Sequence, residues 1–151
     1  MLGLCLKKEM TFKLYVLINF MTTIMYVEDE FTIRRGGVSV LNGRGYLVKD
    51  YHDPFEAIQS IMTGEEYDLL LTDLSFPRGR GDLRYDALDL IKASRERNPR
   101  IPIVIATGAA SIRTDLIARG FEAIDVIQKP YTMEKLVGII DGILNRHLER
   151  V

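Results

Sequence analysis

The chain has one cysteine in 151 residues, Cys5, so an internal disulfide is excluded, and no Cys/His cluster has the spacing of a zinc site. A reducing, cytoplasmic setting is the expectation that follows. Charge of one sign is equally scarce: 20 basic residues against 21 acidic ones leave a formal net charge of −1. Without a basic excess there is no electrostatic footprint for nucleic acid, and direct DNA binding is not expected. Long apolar runs are missing too. Lys7, Lys8, Glu9 and Lys13 divide the start of the chain into pieces too short to cross a bilayer. The stretch from Leu14 to Val27 is not followed by Ala-x-Ala, which argues against a secretory leader. No Gly-x-Gly-x-x-Gly or Walker loop follows any apolar segment, so the common nucleotide-binding loops are excluded as well.

What remains is an ordinary globular composition, 47% hydrophobic and 27% charged, in a length that suits one domain with an appended segment. Residues 1–20 are read as an N-terminal extension and residues 21–151 as the domain. Within the extension, Tyr15 to Ile18 would either add a strand or pack as a short apolar helix.

The domain is organised around Asp68-Leu-Leu-Leu-Thr-Asp73, a continuous apolar run that ends on a carboxylate. Such a run suits a strand covered on both faces, as in a parallel sheet. Pro77 then forces a loop. Four further runs read the same way: Thr23 to Val27, Tyr46 to Tyr51, Ile101 to Ala106 and Ile124 to Ile127. Helical patterns lie between and after them. Phe31 to Leu41 carries a stripe of Ile33, Val38 and Leu41, weakened by Gly36 and Gly37. Asp53 caps a helix that starts at Pro54 and runs through Met62. Asp86 to Arg97 turns Leu88, Leu90 and Ile91 inward; Ser111 caps a helix through Arg119; and Thr132 opens a last helix with Leu136, Ile139, Ile140, Ile143 and Leu144 at helical period. Strand then helix, five times over, predicts an α/β fold with a doubly wound five-stranded parallel sheet and helices on both faces.

Polar groups recur where these strands end: Glu28 and Asp29, Asp73, Thr107, and Lys129. In a doubly wound sheet those ends gather in one crevice. Three carboxylates there make a hard oxygen site suited to magnesium, and a hydroxyl and an ammonium opposite them suit the oxygens of a phosphoryl group. Each residue also has a plainer reading, as a turn aspartate, a turn hydroxyl or a surface lysine. Their recurrence at successive strand ends is what the plain readings do not explain. The loop Arg78 to Tyr85 carries three arginines and is read as solvated, with an anion or partner contact as the alternative.

Four segments carry a family resemblance: Val27-Glu28-Asp29-Glu30; Leu71-Thr72-Asp73-Leu74 with Pro77; Ile105-Ala106-Thr107-Gly108; and Gln128-Lys129-Pro130-Tyr131. Together they resemble the receiver domain of two-component response regulators, over about residues 22 to 148. The 44 residues from Asp29 to Asp73 and the 22 from Thr107 to Lys129 are similar to the family's spacing. The resemblance implies a flavodoxin-like receiver fold of the stand-alone, chemotaxis type. It implies Asp73 as phosphoacceptor, Glu28, Asp29, Asp73 and the backbone carbonyl of Ser75 as Mg2+ ligands, Thr107 as the switch hydroxyl and Lys129 as the phosphate-binding lysine. It also implies a sensor histidine kinase or phosphotransfer protein as phosphoryl source, a downstream protein partner, a phosphorelay role, and compatibility with a homodimer; neither nucleic acid nor membrane is expected as a partner.

Three departures accompany the resemblance. Val126 stands where the family usually carries an aromatic switch residue. The 34 residues from Asp73 to Thr107 exceed the usual span by about the length of Asp82 to Tyr85, and Gly36-Gly37 interrupts a helix that the family builds from firm helix formers. A receiver-like module that acts without phosphorylation is the alternative. A phosphatase forming an aspartyl-phosphate at Asp73 is a weaker one, because Ser75 occupies the place of the second aspartate that would transfer the proton. With the last helix running to the end, the chain reads as a stand-alone receiver or a receiver fragment.

Overall fold

The structure, a computed structural model, describes residues 8–13, 22–74, 85–108 and 111–149. Residues 8–13 are helical, and the expected strand or helix at Tyr15 to Ile18 lies outside the described residues. Five strands and five helices follow in alternation: β1 (Thr23–Val27), α1 (Phe31–Gly43), β2 (Leu47–Tyr51), α2 (Pro54–Met62), β3 (Leu69–Asp73), α3 (Ala87–Arg97), β4 (Ile103–Thr107), α4 (Ile112–Ala118), β5 (Ile124–Gln128) and α5 (Met133–Glu149). All strand pairs are parallel, in the order β2-β1-β3-β4-β5. The predicted fold class is the one observed.

Burial on both faces explains why the strands read as unbroken apolar runs. Every residue of β3 and β4 is buried, and alternate residues feed two separate cores. Ile24, Tyr26, Leu69, Leu71, Val104 and Ile127 pack under α1 and α5; Met25, Val27, Leu70, Ile103 and Ile105 pack under α2, α3 and α4. A one-residue register slip would exchange the two sets, so both cores specify the same pairing.

Local chemistry sets the helix ends. Asp53 accepts a bond from Glu56 N at 2.8 Å, with Pro54 at the first helical position. Asp86 and Asp89 form a reciprocal capping box at 2.9 Å in each direction, and Thr132 Oγ1 accepts from Lys135 N at 3.2 Å. Ser111 stands at the N-cap of α4 but makes no side-chain cap bond, because its backbone is already helical (φ −87°, ψ 0°). The fourth strand begins at Ile103 rather than Ile101: Pro102 has no N–H to give, and its carbonyl accepts from Leu70 N at 3.0 Å.

The largest difference from expectation lies in α1. Its inward stripe runs through Gly37 and Leu41, both fully buried, with Val38 only partly so. A Cβ on Gly37 would stand 2.6 Å from Cε1 of Tyr26 and 3.0 Å from its hydroxyl oxygen, so this glycine is where the helix rests directly on an aromatic ring of β1. What the sequence presents as a weak point in the helix is a close approach.

The strand order turns at β1 and β3. β1 connects outward to β2, and β2 returns across it to β3, so the crevice beyond the carboxyl ends of β1 and β3 is left open. Glu28 and Asp73 stand at those ends.

Candidate functional site

β1 delivers Glu28 to the crevice almost completely buried, and β3 delivers Asp73 with 7% exposure. Both follow apolar strands whose alternation turns them to the α1 and α5 side. Two buried carboxylates this close repel, and the structure answers with one cation. Lys129 follows β5, and its Nζ lies 3.1 Å from Glu28 Oε2 and 3.1 Å from Asp73 Oδ2. The lysine backbone is pinned as well, its N–H donating to Thr107 O at 2.8 Å. Thr107 itself, the last residue of β4, is buried. Asp29 is half-buried, and a carboxylate oxygen of each of Glu28, Asp29 and Asp73 lies within 4.8 Å of the others.

The electrostatics follow from this crowding. Burial first, and the charge of Asp73 second, push the Glu28 carboxyl above its usual pKa; the Lys129 ammonium and a bond from Glu30 N at 3.2 Å pull the other way. For Lys129, burial works against the charged form, but the hydrogen bonds and charges of Asp73 and Glu28 outweigh it and leave the pKa above the ordinary lysine value. The ammonium form of Lys129 is thus favoured, and this one ammonium stands in a cluster of three carboxyl groups, those of Glu28, Asp29 and Asp73.

That imbalance meets the requirement of a small hard divalent cation. The donor set is all oxygen, drawn from two strand ends, and its three carboxyl groups outnumber the single Lys129 ammonium beside them. Glu28, Asp29 and Asp73 fit Mg2+ on these grounds; Ser75, expected to add its backbone carbonyl, lies outside the described residues, as does the arginine-bearing loop 78–84. A second group of ligand-type residues, His52, Asp53 and Glu56, is engaged otherwise. The two ring nitrogens of His52 contact the two carboxylates separately, at 3.1 and 2.9 Å, and Asp53 caps α2.

Sequence reasoning brought Glu28, Asp29, Asp73, Thr107 and Lys129 to one crevice; the structure brings Glu28, Asp29, Asp73 and Lys129 together, with Thr107 joined to Lys129 through its backbone carbonyl. It missed Arg34. From the first turn of α1, its Nη1 donates to Glu28 O at 2.7 Å while its Nε bonds Asp50 Oδ2 of β2 at 3.2 Å, so one guanidinium holds the acidic turn against the edge strand. A cation placed one helical turn beyond an acidic strand end was the available signal. It also missed Tyr26 and Tyr131, whose hydroxyls are buried beneath the carboxylates; polar atoms on core-forming rings give no pattern in sequence. Val126 lies in β5, partly buried.

Comparison with known proteins agrees with this geometry. The profile of the response regulator receiver domain matches residues 24–141. The sensor kinase CckA of Brucella abortus is 28% identical over 128 residues, which cover 82% of this chain and 13% of that protein. The response regulator MprA of Mycobacterium ulcerans is 27% identical over 123 residues, 82% of this chain and 50% of that one. The chain thus spans half or less of the length of these curated relatives. Among solved structures, a response regulator receiver protein from Sinorhizobium medicae superposes with a TM-score of 0.70 at 26% identity, covering 82% of this chain and 94% of its own.

Proposed function

The chain belongs to the response regulator receiver domain family, and from that premise we propose that it takes a phosphoryl group onto Asp73 and passes the resulting change to a protein partner. One observation carries the reading: Lys129 bridges Glu28 and Asp73 at 3.1 Å each, so an acceptor carboxylate, a cation ligand and a phosphate-binding ammonium are assembled before any ligand arrives. A carboxylate oxygen of Asp73 attacks phosphorus, the P–N bond of a phosphohistidine donor breaks, and the imidazole leaves carrying a proton. Glu28, Asp29 and Asp73 would hold Mg2+, which when bound neutralises the anionic oxygens of the incoming group. Lys129 turns from the carboxylates toward a phosphoryl oxygen, and Thr107 supplies its hydroxyl at the end of the neighbouring strand. The chain catalyses only its own phosphorylation and dephosphorylation. A sensor histidine kinase or a phosphotransfer protein is the proposed donor, in keeping with the likeness to a sensor kinase and to response regulators.

The test locates the acyl phosphate. The protein is incubated with Mg2+ and phosphoramidate, a small donor with a P–N bond, then reduced with borohydride, which converts an aspartyl phosphate to homoserine. Peptide mapping is expected to find homoserine at Asp73; homoserine at Asp29 or at another aspartate would contradict the assignment. Val126, which leaves the usual aromatic switch position aliphatic, favours a second reading in which the module binds its partner without phosphorylation. Partner affinity unchanged by phosphorylation would support that second reading.

A further inference from the structure

Two tyrosines lie under the carboxylate cluster. Tyr26 stands two residues before Glu28 and Tyr131 two residues after Lys129, so each shares a short backbone segment with one member of the 3.1 Å Glu28–Lys129 pair. Both rings pack into the core beneath α1 and α5. Both hydroxyls are buried, and among the described residues neither makes a hydrogen bond of normal geometry. They nevertheless act on one another, and both feel the charges of Glu28 and Asp73; burial, foremost, pushes each hydroxyl's pKa up. A buried hydroxyl without a firm partner is costly, and that calls for a reason.

The space for the Tyr26 ring comes from α1. Gly37 leaves room for the Tyr26 ring, which a Cβ would meet at 2.6 Å, and a Cβ at Gly36 would face Cε of Met133, the first residue of α5, at 3.5 Å. Through adjacent glycines, one helix therefore rests both on the strand that ends in Glu28 and on the segment that follows Lys129.

We propose that the Tyr26–Tyr131 pair, with the Tyr26 ring seated on Gly37, is a positioning device that carries occupation of the Asp73 pocket to α1 and the start of α5. This rests on the reading of Asp73 as phosphoryl acceptor and adds the surface that responds. Lys129 is shared between Glu28 and Asp73, and new anionic oxygens on Asp73 draw it from Glu28. The β1 end and the Lys129–Tyr131 segment then shift relative to one another. The two hydroxyls, which act on one another, carry the movement of one segment to the other. Close packing of the Tyr26 ring on bare helix backbone passes it to α1.

Hydrogen exchange read by mass spectrometry tests this on the full chain, with and without Mg2+ and acetyl phosphate, with intact mass recorded on the same samples. In the wild type a phosphate-sized mass gain is expected together with a change of about threefold or more in amide exchange across residues 31–43. Tyr131→Phe and Tyr26→Phe keep the mass gain but lose most of the α1 response. A purely structural role for the hydroxyls would move the melting temperature or basal exchange and leave the phosphoryl-dependent difference intact. Phenylalanine variants with a full α1 response overturn the inference, as does a wild type that gains phosphate without any response in α1. Loss of the mass gain in either variant overturns it too, because the hydroxyl would then belong to the chemistry. A wild type with no mass gain is a failure of the acceptor reading itself, and the intact mass registers it separately.

Discussion

Lys129 holds two carboxylates that would otherwise oppose one another across the crevice. Replacing it by alanine leaves Glu28 and Asp73 buried without their ammonium, and a loss of about 1–3 kcal/mol is expected at neutral pH. The loss depends on pH in a stated direction. Glu28 already has a folded-state pKa raised above its ordinary 4.5, so its contribution is fully present below that value and is lost as pH rises through the folded pKa. Removing Lys129 takes away an influence that lowers this pKa, so the variant's deficit grows as pH rises from about 4.5. Urea midpoints of wild type and Lys129→Ala at pH 5 and pH 7 check this; an equal deficit at both would contradict it. Functionally, Lys129→Ala is expected to uncouple phosphorylation from partner binding, read as partner affinity with and without acetyl phosphate; coupling that survives would sink the role assigned to the lysine. The acidic strand ends and this lysine were legible in sequence because each is a polar residue terminating an apolar run. For Arg34 the only signal was its place one helical turn beyond the acidic strand end, since its role depends on reaching a backbone carbonyl and a carboxylate on another strand.

At the scale of elements, α1 separates propensity from packing. Gly36 and Gly37 are adjacent, and both would gain helix propensity as alanine, about 1 kcal/mol each. Their environments differ. A Cβ at Gly36 meets the flexible end of Met133 at an ordinary 3.5 Å, whereas at Gly37 it meets the Tyr26 ring at 2.6 Å. Gly36→Ala is therefore expected to stabilise by about 0.5–1 kcal/mol, and Gly37→Ala to destabilise by about 1–3 kcal/mol through overpacking. Chemical denaturation of the two variants measures both; equal shifts of one sign would show that the Tyr26 contact does not govern the helix. Sequence marked these glycines as a weakness because helix propensity is local, while the contact that requires Gly37 comes from a strand 11 residues earlier in the chain. The caps at Asp53 and Thr132 were legible because each bond closes within three residues. Ser111 carries the same signal, yet its backbone geometry gives its hydroxyl no cap to make.

At the scale of the whole molecule, the sheet order β2-β1-β3-β4-β5 sets Glu28 and Asp73 side by side although 45 residues separate them. Alternation of strand and helix was enough to anticipate a doubly wound parallel sheet, since right-handed crossovers leave few other ways to bury strands that are apolar on both faces. Which aromatic atoms lie under the crevice was beyond such reasoning. Because a cation held by Glu28, Asp29 and Asp73 binds only the folded chain, Mg2+ is expected to raise the melting temperature, by the equivalent of about 2.7 kcal/mol at a hundred times its dissociation constant. Glu28→Gln should lose most of that gain, and an equal gain in the variant would move the cation elsewhere. The measurement that bears most directly on the central claim is intact mass after incubation with Mg2+ and acetyl phosphate, for wild type and Asp73→Asn in parallel. A phosphate-sized gain in the wild type alone is the predicted result; the same gain in Asp73→Asn, or none in a folded wild type that binds Mg2+, would contradict the account.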